Sequence, residues 1–551
     1  QVESLQNFVI NHYYEGQEIT PNLNKLIKEN GSLYFNNYYQ VLGRGNTSDA
    51  EFVTNNSLYP SMEDPTYTQY EQNTFYGLPW ILRDHGYSSW AFHGYEKEFW
   101  NRERAYPNQG FQRFISEEDY DLVETSGFGI TDGEFFKQSM DYLKELDSID
   151  ENPFHGFLIT LTSHNPYEIP ENLRYLNIKE EHEETILGNY LQSIHYMDKA
   201  LGDFIENLKK EGLYEDTVIA IYGDHFGIAS IQDDVKELMT DFLGYPYDFD
   251  EMMRIPLIIH VPGQQINETI STLGSQLDFL PTILNIMGIK NEKGIMFGRD
   301  LLNLEEENYV AQQTYMQKGS FMKGDTMFVI SRDGIFEHST AIKMDSREPV
   351  DINSCREMYQ KVIDEINKSD FILKRDLMKI LKESNGDIDF SILNAHSIPN
   401  KDYIAYIETN SKEELSKYYD KGFRIFAVDL KRSKDDELIL GKEQAEMTMK
   451  DLESWMEEYG DTYVVLRTTE EGDQLLMKVK NEYPYLRNRL IPEIRNFEHF
   501  FTLSFRGFKN IILDIRENQY TEKEVLDFLQ MHPYFGVLIN EQQIKTDLPT
   551  K

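Results

Sequence analysis

The sequence has almost no cysteine and no long apolar run. Cys355 is the one cysteine among 551 residues, so an intramolecular disulfide is excluded. The most apolar segments, TVIAIY and IPLIIHV, fall well short of the roughly 18 consecutive apolar residues that indicate a membrane span. A secretory signal pattern is also missing. The chain starts at Gln1, in a segment that resembles the end of a strand, and we therefore expect a fragment of a longer protein.

Basic residues are scarce relative to acidic ones. The chain has 54 Lys and Arg against 95 Asp and Glu, for a formal net charge of -41. Such a surface repels nucleic acid, whose binding needs clustered basic side chains, so we expect no nucleic-acid partner. An anionic substrate would need a local positive centre, either a bound metal ion or a few well-placed Arg and His side chains.

The first two thirds of the chain alternate strand and helix signals. Strands are predicted in GYSSWAFHGY, PFHGFLITLT, DTVIAIYGDH and RIPLIIHVPG, and a long helix in LGNYLQSIHYMDKALGDFIENLKKEGL. This rhythm is typical of an α/β fold with a mostly parallel sheet, in which ligands bind beyond the carboxyl ends of strands. After the polar linker KESNGD the rhythm starts again, so we place one domain at 1–388 and a second at 389–551.

Acid, hydroxyl and imidazole groups stand at strand ends or helix starts in the first domain. They are Glu3, Thr47 in GRGNTSDAEF, His164 in SHNPY, and Asp224 and His225 in GDH. Two carboxylates, an imidazole and a hydroxyl oxygen suit a divalent metal ion. A metal ion lowers the pKa of a hydroxyl beside it and makes that hydroxyl a nucleophile. A helix start at Thr47 would also favour a phosphoryl oxygen.

Each of these groups also has a plainer interpretation. Thr47 or Ser48 could cap the helix, with Glu51 completing a capping box. Glu3 could be a solvated or paired acid, and His164 a structural histidine. Only the combination of the groups points to a chemical site.

The combination resembles the extracellular catalytic domain of lipoteichoic acid synthases, which are phosphoglycerol transferases of the sulfatase and alkaline-phosphatase superfamily. The matching segments include QVESLQNF, GRGNTSDAEF, AFHGYEKEFWNRERAYPNQGF, FLITLTSHNPY and YGDHFG, in chain order over roughly residues 1 to 385. The resemblance implies an α/β fold with a mixed sheet flanked by helices.

The resemblance also implies residue roles. The matching metal ligands are Glu3, Thr47, Asp224 and His225, and Thr47 also matches the catalytic nucleophile. The implied ion is Mn²⁺, with Mg²⁺ as a possible substitute. The matching substrate contacts are His93, Trp100, Arg102 and His164, with Asp49 as a further candidate that could instead brace its loop. Arg102 offers a fork of donors for phosphate oxygens.

The implied reaction moves glycerolphosphate from phosphatidylglycerol to a growing lipoteichoic acid chain or a glycolipid anchor, through a phosphoglycerol group on Thr47. It implies membrane helices upstream of this chain and a location at the extracellular face of a Gram-positive cell membrane. Two alternatives stay open. One is a phosphodiesterase or sulfatase-type hydrolase, although Ser48-Asp49-Ala50 replaces the Pro and Arg of the arylsulfatase motif. The other is a non-catalytic glycerolphosphate-binding protein.

The second domain resembles the front part of glycerophosphodiester phosphodiesterases, which are (β/α) barrels. His396 and Asp429 match residues of that family's site. Ser397, Ala427 and Gly441 stand where Arg, Glu and a second His are usual. The domain is also short for a complete barrel. We expect an inactive α/β domain that resembles a partial barrel and recognises glycerolphosphate chains or packs on the first domain. An unrelated accessory domain is the alternative.

Overall fold

A computed structural model of the chain describes residues 1–149, 152–291, 293–379, 407–434, 436–442, 446–460, 462–468, 472–483, 486, 489–505, 508, 510–516, 520–531 and 536–539. It divides into two compact units. The first is Gln1–Val329 with Ala341–Ile388, and the second is Ile330–Thr340 with Asp389–Lys551. Residues 330–340 therefore belong to the second unit, although they precede the linker in the sequence. His396 and Ser397 lie outside the described residues.

The first unit and the segment that follows it contain short and long strands. They are β1 (Tyr13–Tyr14), β2 (Gln17–Glu18), β3 (Ser32–Tyr39), β4 (Ser88–His93), β5 (Arg113–Ile115), β6 (Thr125–Ser126), β7 (Gly129–Ile130), β8 (Phe154–Ile159), β9 (Ile219–Tyr222), β10 (Arg254–His260), β11 (Asn267–Ile270), β12 (Gly274–Ser275), β13 (Tyr309–Gln312), β14 (Ser320–Lys323), β15 (Thr326–Val329) and β16 (Thr340–Lys343). The four strands predicted from apolar segments are β4, β8, β9 and β10, and all four are confirmed.

The helices of the first unit flank these strands. They are α1 (Pro21–Lys28), α2 (Thr47–Asn56), α3 (Thr66–Gln69), α4 (Leu78–Asp84), α5 (Arg102–Gln109), α6 (Asp132–Ser148), α7 (Ile186–Glu211), α8 (Asp233–Leu243), α9 (Phe249–Met252), α10 (Phe279–Ile286) and α11 (Arg356–Lys374). The long predicted helix is α7. It begins after Thr185, whose hydroxyl accepts from the Gly188 amide, and ends at Gly212, whose φ of 78° is the left-handed conformation that glycine adopts most easily.

The central sheet of the first unit is mixed. Strands β5, β4 and β8 are parallel, whereas β10 runs antiparallel between β3 and β9. The start of the chain joins the two halves, because the Thr160 amide donates to the Gln1 carbonyl and the Val2 amide donates to the Tyr222 carbonyl. Every residue of β10 after Arg254 is buried, which explains the continuous apolar run there. The mixed sheet flanked by helices is confirmed.

The second unit repeats the α/β rhythm. Its strands are β17 (Ile407–Glu408), β18 (Ile425–Arg432), β19 (Leu438–Leu440), β20 (Met447–Thr448), β21 (Tyr463–Thr468), β22 (Leu490–Ile494), β23 (Ile512–Asp514) and β24 (Gly536–Leu538). Its helices are α12 (Lys412–Asp420), α13 (Met449–Glu458), α14 (Gly472–Glu482), α15 (Phe497–Phe505) and α16 (Glu522–Met531). Strands β17, β18, β21, β22, β23 and β24 are parallel neighbours.

The two faces of this second sheet differ. One face packs into a large core built around Trp455, Phe426 and Leu466. The other carries a small apolar cluster of Ile425, Ala427, Val465, Ile491 and Ile512. None of the helices in the described parts of either unit combines the length and apolar character needed to cross a bilayer.

Candidate metal and catalytic site

The backbone brings several strand ends of the first unit to one place. Asp224 and His225 directly follow β9, and Thr160 and Ser163 follow β8. Glu3 contacts the residues after β8, because its amide donates to the Thr160 hydroxyl at 3.0 Å and its carbonyl accepts from the Ser163 hydroxyl at 2.6 Å. Its neighbour Val2 contacts the end of β9, because the Asp224 amide donates to the Val2 carbonyl at 3.1 Å. These side chains therefore lie at the carboxyl ends of β8 and β9.

Thr47 is the first residue of α2, and the loop before it is tightly built. Asp49 braces that loop: one carboxylate oxygen accepts from the Gly43 amide at 3.1 Å and from the Gly45 amide at 2.7 Å. A Cβ atom on Gly43 would lie 2.1 Å from the Ser61 carbonyl oxygen, so a side chain does not fit there. Asp49 is completely buried and its observed contacts are within the protein, which favours the bracing role over substrate contact.

The capping box expected in NTSDAEF does not form. Asn46 occupies the N-cap position without a side-chain cap, and the Ser48 hydroxyl donates back to the Gly45 carbonyl at 3.0 Å. Glu51 faces away from the helix start, where its carboxylate accepts from Arg102 and Tyr106. The capping interpretation is therefore wrong, and Thr47 is left with its side chain directed at the acidic groups of the site.

Four predicted metal ligands converge in this structure. Ligand atoms of Glu3, Asp224 and His225 all lie within 4.8 Å of one another. The Thr47 hydroxyl donates to Glu3 Oε2 at 3.3 Å and lies 3.4 Å from His225 Nε2. His225 Nε2 is 3.4 Å from Glu3 Oε1 and 3.6 Å from Asp224 Oδ2. Two carboxylates, an imidazole and a hydroxyl thus share one small, buried space.

The charges of this cluster fit a bound cation. Asp224 Oδ2 is buried and has no hydrogen-bond partner in the described part of the chain. Burial and the Glu3 carboxylate raise the pKa of Asp224 to about 7. Burial lowers the pKa of His225, but the neighbouring carboxylates outweigh it and raise the pKa above its usual value. An orphaned buried carboxylate beside a second carboxylate is costly unless a positive charge compensates it.

The orientation of His225 supports the same conclusion. Its Nδ1 lies 2.8 Å from the Phe226 carbonyl oxygen, and an N–H at that position donates to the carbonyl. The lone pair of Nε2 then faces Glu3 and Asp224. A ring fixed in this way by a backbone carbonyl is the usual arrangement of a metal-binding histidine.

Two further predicted residues lie close to each other beside the cluster. His93 is buried at the end of β4, with Nδ1 3.1 Å from the Ile159 carbonyl oxygen. Burial, and then the positive charge of Arg102, lower its pKa well below the usual value, so it is neutral. His164 is half-buried and packs edge-on against Phe128 at 4.5 Å between ring centroids. Its Nδ1 contacts the Asn165 carbonyl, which leaves Nε2 available to a ligand.

Arg102 has a partner that the sequence did not suggest. Its Nε and Nη2 donate to Glu51 Oε1 at 3.0 and 2.7 Å, and its side chain is 1% exposed. The guanidinium nitrogens expected to hold phosphate oxygens are thus bound to the Glu51 carboxylate. To bind a phosphate through these two nitrogens, Arg102 would have to give up its hydrogen bonds to Glu51. Trp100 is half-buried beside Phe99, and both Trp100 and Asn101 have positive φ angles of 55° and 60°. Their roles in substrate binding stay predictions.

Sequence reasoning missed two buried acids that shape the site. The sequence suggested a capping role for Glu51. Every residue of α2 is buried, and only the fold shows this, so the buried position of Glu51 could not be predicted. Asp132 accepts from the Leu161 and Thr162 amides at 2.8 and 3.1 Å and so holds the loop that leads to His164. Asp132 is the first residue of α6. Acids are common in the first turn of any helix, so no local signal in the sequence shows that this one holds a loop.

Comparisons with known proteins identify the family of the chain. The profile of the family described as Sulfatase matches residues 1–289. The lipoteichoic acid synthase-like protein YvgJ of Bacillus subtilis (strain 168) is 35% identical over 386 residues, which are 69% of this chain and 59% of that protein. The lipoteichoic acid synthase of Staphylococcus saprophyticus is 34% identical over 392 residues, 70% of this chain and 58% of that protein. The chain thus spans less than two thirds of either relative.

Solved structures show the same fold. The crystal structure of the lipoteichoic acid synthase LtaP from Listeria monocytogenes superposes with a TM-score of 0.63 at 28% identity, over 68% of this chain and 91% of that one. A protein in the alkaline phosphatase superfamily from Vibrio parahaemolyticus gives a TM-score of 0.56 at 20% identity, over 68% and 86% of the two chains. The second likeness concerns the fold alone.

Proposed function

The chain belongs to the sulfatase family, and we propose that its first unit is a metal-dependent phosphoglycerol transferase. The observation that carries the proposal is the meeting of the Thr47 hydroxyl with Glu3, Asp224 and His225, which come from distant parts of the chain. The relatives named lipoteichoic acid synthase add support, since the likeness to LtaP covers 68% of this chain rather than the site alone.

Glu3, Thr47, Asp224 and His225 would hold one divalent ion, for which we propose Mn²⁺ with Mg²⁺ as a substitute. When bound, the ion would supply the positive charge that the acidic chain lacks and lower the pKa of the Thr47 hydroxyl. The four side chains come from three separate segments of the chain and already lie together in this structure, so the site is preorganised and does not need to assemble around its substrate.

In the proposed reaction, the Thr47 oxygen attacks the phosphorus of a phosphatidylglycerol headgroup. A bond forms between that oxygen and phosphorus while the Thr47 proton passes to Glu3 Oε2, the acceptor of its hydrogen bond. The bond from phosphorus to the diacylglycerol oxygen breaks, and diacylglycerol leaves after taking up a proton. The donor we propose for that proton is His164, whose Nε2 is left available because Nδ1 contacts the Asn165 carbonyl. The positive end of the α2 dipole lies at Thr47 and favours the phosphoryl oxygens.

The terminal hydroxyl of a glycerolphosphate polymer or a glycolipid anchor then attacks the phosphorus of the group on Thr47, and the bond between phosphorus and the Thr47 oxygen breaks. The attacking hydroxyl gives its proton to His164, and Thr47 recovers its proton from Glu3. Because the donor is a lipid, we propose that the unit works at the extracellular face of a cell membrane. For the second unit we propose an accessory role without phosphodiesterase activity, since Ala427 and Gly441 stand where that family has catalytic side chains.

The test supplies phosphatidylglycerol with a fluorescent acyl chain in mixed micelles, with Mn²⁺, and measures diacylglycerol release. We expect Thr47→Ala to abolish release, Thr47→Ser to keep a part of it, and Thr68→Ala, an exposed threonine on α3, to leave it unchanged. Release by Thr47→Ala at the native rate would contradict the proposal.

A second arm separates a transferase from a hydrolase. With a glycerolphosphate polymer added, a transferase extends the polymer. A hydrolase yields free glycerolphosphate at the same rate with and without the polymer. The second result would replace the proposed transfer by hydrolysis through the same residue.

A further inference from the structure

A continuous row of aromatic rings adjoins the candidate site of the first unit. Phe128, in the turn of the β6–β7 hairpin, packs edge-on against His164 with 4.5 Å between ring centroids. Phe128 also contacts Tyr95 at 5.8 Å, and Tyr95 contacts Phe99 at 5.1 Å. Trp100 follows at 5.3 Å from Phe99. These five rings form one row from His164 to Trp100, which we call the aromatic ridge.

The ridge is exposed to an extent that is unusual for an aromatic cluster. Phe99 and Phe128 are 39% and 44% exposed. Two aliphatic side chains just before the same hairpin, Leu122 and Val123, are 49% and 69% exposed. Single exposed apolar residues are normal on a protein surface, whereas a contiguous apolar patch marks an interaction site.

The backbone fixes one end of the ridge in an uncommon conformation. Trp100 and Asn101 have φ angles of 55° and 60°, in the left-handed region that residues other than glycine seldom adopt. The Asn101 side chain holds this turn, because its Nδ2 donates to the Tyr67 carbonyl at 3.0 Å and to Glu71 Oε2 at 2.6 Å. Such conformations persist only where the surrounding structure enforces them. The exposed position of Phe99 is therefore built into the fold.

The charges that border the ridge are mostly acidic. The Glu117 amide donates to the Tyr95 carbonyl at 3.1 Å, so Glu117 lies next to the ridge. Burial, and then the charges of Glu96 and Glu118, raise the pKa of Glu117. Lys97 is already paired with Glu118 at 3.0 Å. Electrostatic attraction therefore does not draw an anionic surface to the ridge, and a contact there has to rest on the burial of apolar area.

The position of the ridge indicates its partner. His164 follows Ser163, whose hydroxyl donates to the Glu3 carbonyl, so the ridge ends at the site where we propose that Thr47 attacks a lipid. The two acyl chains of that lipid stay in a bilayer, since moving them into water is costly. The rim of the site must then touch the bilayer surface. Tryptophan and tyrosine rings suit this place, because they are enriched where a bilayer meets water, and phenylalanine adds apolar area.

We propose that the aromatic ridge, with Leu122 and Val123, enters the surface of a lipid bilayer and holds the candidate site against it. The inference rests on the function proposed above, because a lipid substrate is the reason to expect a bilayer at this rim. It gives Phe99 and Phe128 a role in reaching a substrate that stays in the membrane. Since the bordering charges are acidic, added salt should leave the contact unchanged or strengthen it.

The experiment measures how much of the full chain floats with vesicles of phosphatidylcholine, which has no net charge, and of phosphatidylcholine mixed with phosphatidylglycerol. We expect the native chain to float with both. Phe128→Ser and Val123→Ser should each lower the vesicle partition coefficient about three- to tenfold, because a side chain that is about half exposed gains about half of the effect of complete burial.

Two controls accompany these variants. Ile266→Ser removes an isoleucine that is 49% exposed in the loop before β11, and it should float like the native chain. Val123→Ser does the same service for Phe128→Ser, because Val123 makes no ring contact with His164. Circular dichroism checks that every variant is folded.

A second measurement locates the inserted part of the chain. Lipids brominated on their acyl chains quench a tryptophan that enters the bilayer. We expect them to quench the fluorescence of the native chain, and to quench that of Trp100→Phe much less although this variant still floats.

The inference would be overturned if the native chain floated with neither lipid, or if Phe128→Ser and Val123→Ser floated as well as the native chain. Flotation that needs phosphatidylglycerol and is lost at high salt would overturn it too, because the contact would then be electrostatic. Self-association that Phe128→Ser abolishes, without flotation, would make the ridge an interface between copies of the chain.

Flotation needs no turnover, so the two proposals fail separately. Thr47→Ala should float like the native chain. A native chain that floats without releasing diacylglycerol would contradict only the proposed function. A native chain that releases diacylglycerol from micelles without floating would contradict only the membrane contact.

Discussion

Removing the Glu51 carboxylate should destabilise the first unit strongly, although Glu51 touches neither the metal ligands nor, in our proposal, the substrate. Its carboxylate accepts two bonds from Arg102, at 3.0 and 2.7 Å, and one from Tyr106 at 2.7 Å. Both members of the ion pair are almost completely buried, with side-chain exposures of 1% for Arg102 and 0% for Glu51. Replacing Glu51 by Leu would leave a guanidinium charge without a partner in the interior.

The size of the effect follows from that burial. Removing one partner of a buried ion pair typically costs about 3–5 kcal/mol, because the remaining charge is uncompensated. Deleting only the Tyr106 hydroxyl, as in Tyr106→Phe, removes one bond to a charged acceptor and should cost about 1.5–3 kcal/mol. The double variant Glu51→Leu with Arg102→Met removes both charges and should recover most of the loss, since an apolar replacement of a buried pair is often close to neutral.

The assay is urea unfolding followed by tryptophan fluorescence. Three of the four tryptophans, Trp80, Trp90 and Trp100, belong to the first unit, so the signal reports mainly on that unit. A loss below about 1 kcal/mol for Glu51→Leu, the range of an exposed pair, would refute the reasoning. A double variant no more stable than Glu51→Leu would refute it as well, because the loss would then not come from the unpaired charge.

Two further predictions concern the site and its loop. In the metal-free native state the pKa of Asp224 is about 7, whereas in the unfolded chain it has the usual value of 3.8. Between pH 3.8 and about 7 the native state therefore keeps a proton that the unfolded chain has lost. As pH rises through this window, the carboxyl lowers the free energy of unfolding of the metal-free protein. With a chelator present, the Tm of the native chain should therefore fall more steeply with pH over that range than the Tm of Asp224→Asn. Added Mn²⁺ should raise the Tm of the native chain. Equal slopes of Tm against pH for the two proteins would contradict this prediction. Gly43→Ala should cost about 1–3 kcal/mol and lower diacylglycerol release, because its Cβ would lie 2.1 Å from the Ser61 carbonyl oxygen. Gly460→Ala, where a Cβ meets no atom within 4 Å, is the matched control, and an equal effect of both changes would show that crowding is not the cause.

Much of the first unit could be predicted from local patterns. The strands β4, β8, β9 and β10 are short apolar segments bounded by polar residues, and burial in the sheet requires such segments. The helix start at Thr47 was predictable from the Gly-rich loop and the polar residues that follow it. The proposed ligands Asp224 and His225 could be singled out because they follow β9, and ligands of α/β folds lie beyond the carboxyl ends of strands.

The rest depends on contacts between distant parts of the chain. Glu51 and Arg102 are separated by 51 residues, and a pattern that is local to either gives no sign of their pairing. The same holds for Asp132, which holds a loop 29 and 30 residues away. In the second unit, the pairing of Asp429 with Arg467 becomes visible only when β18 and β21 are placed in register. These roles depend on which side chains meet in the folded chain, and a single sequence does not show those contacts.

The most direct test of the central proposal is peptide mass mapping of the chain after incubation with Mn²⁺ and phosphatidylglycerol, without an acceptor and quenched in acid. The proposal predicts one glycerophosphoryl group on the peptide that contains Thr47, absent from Thr47→Ala and removed when a glycerolphosphate polymer is added before the quench. Diacylglycerol release with the label on another residue, or undiminished release by Thr47→Ala, would contradict it.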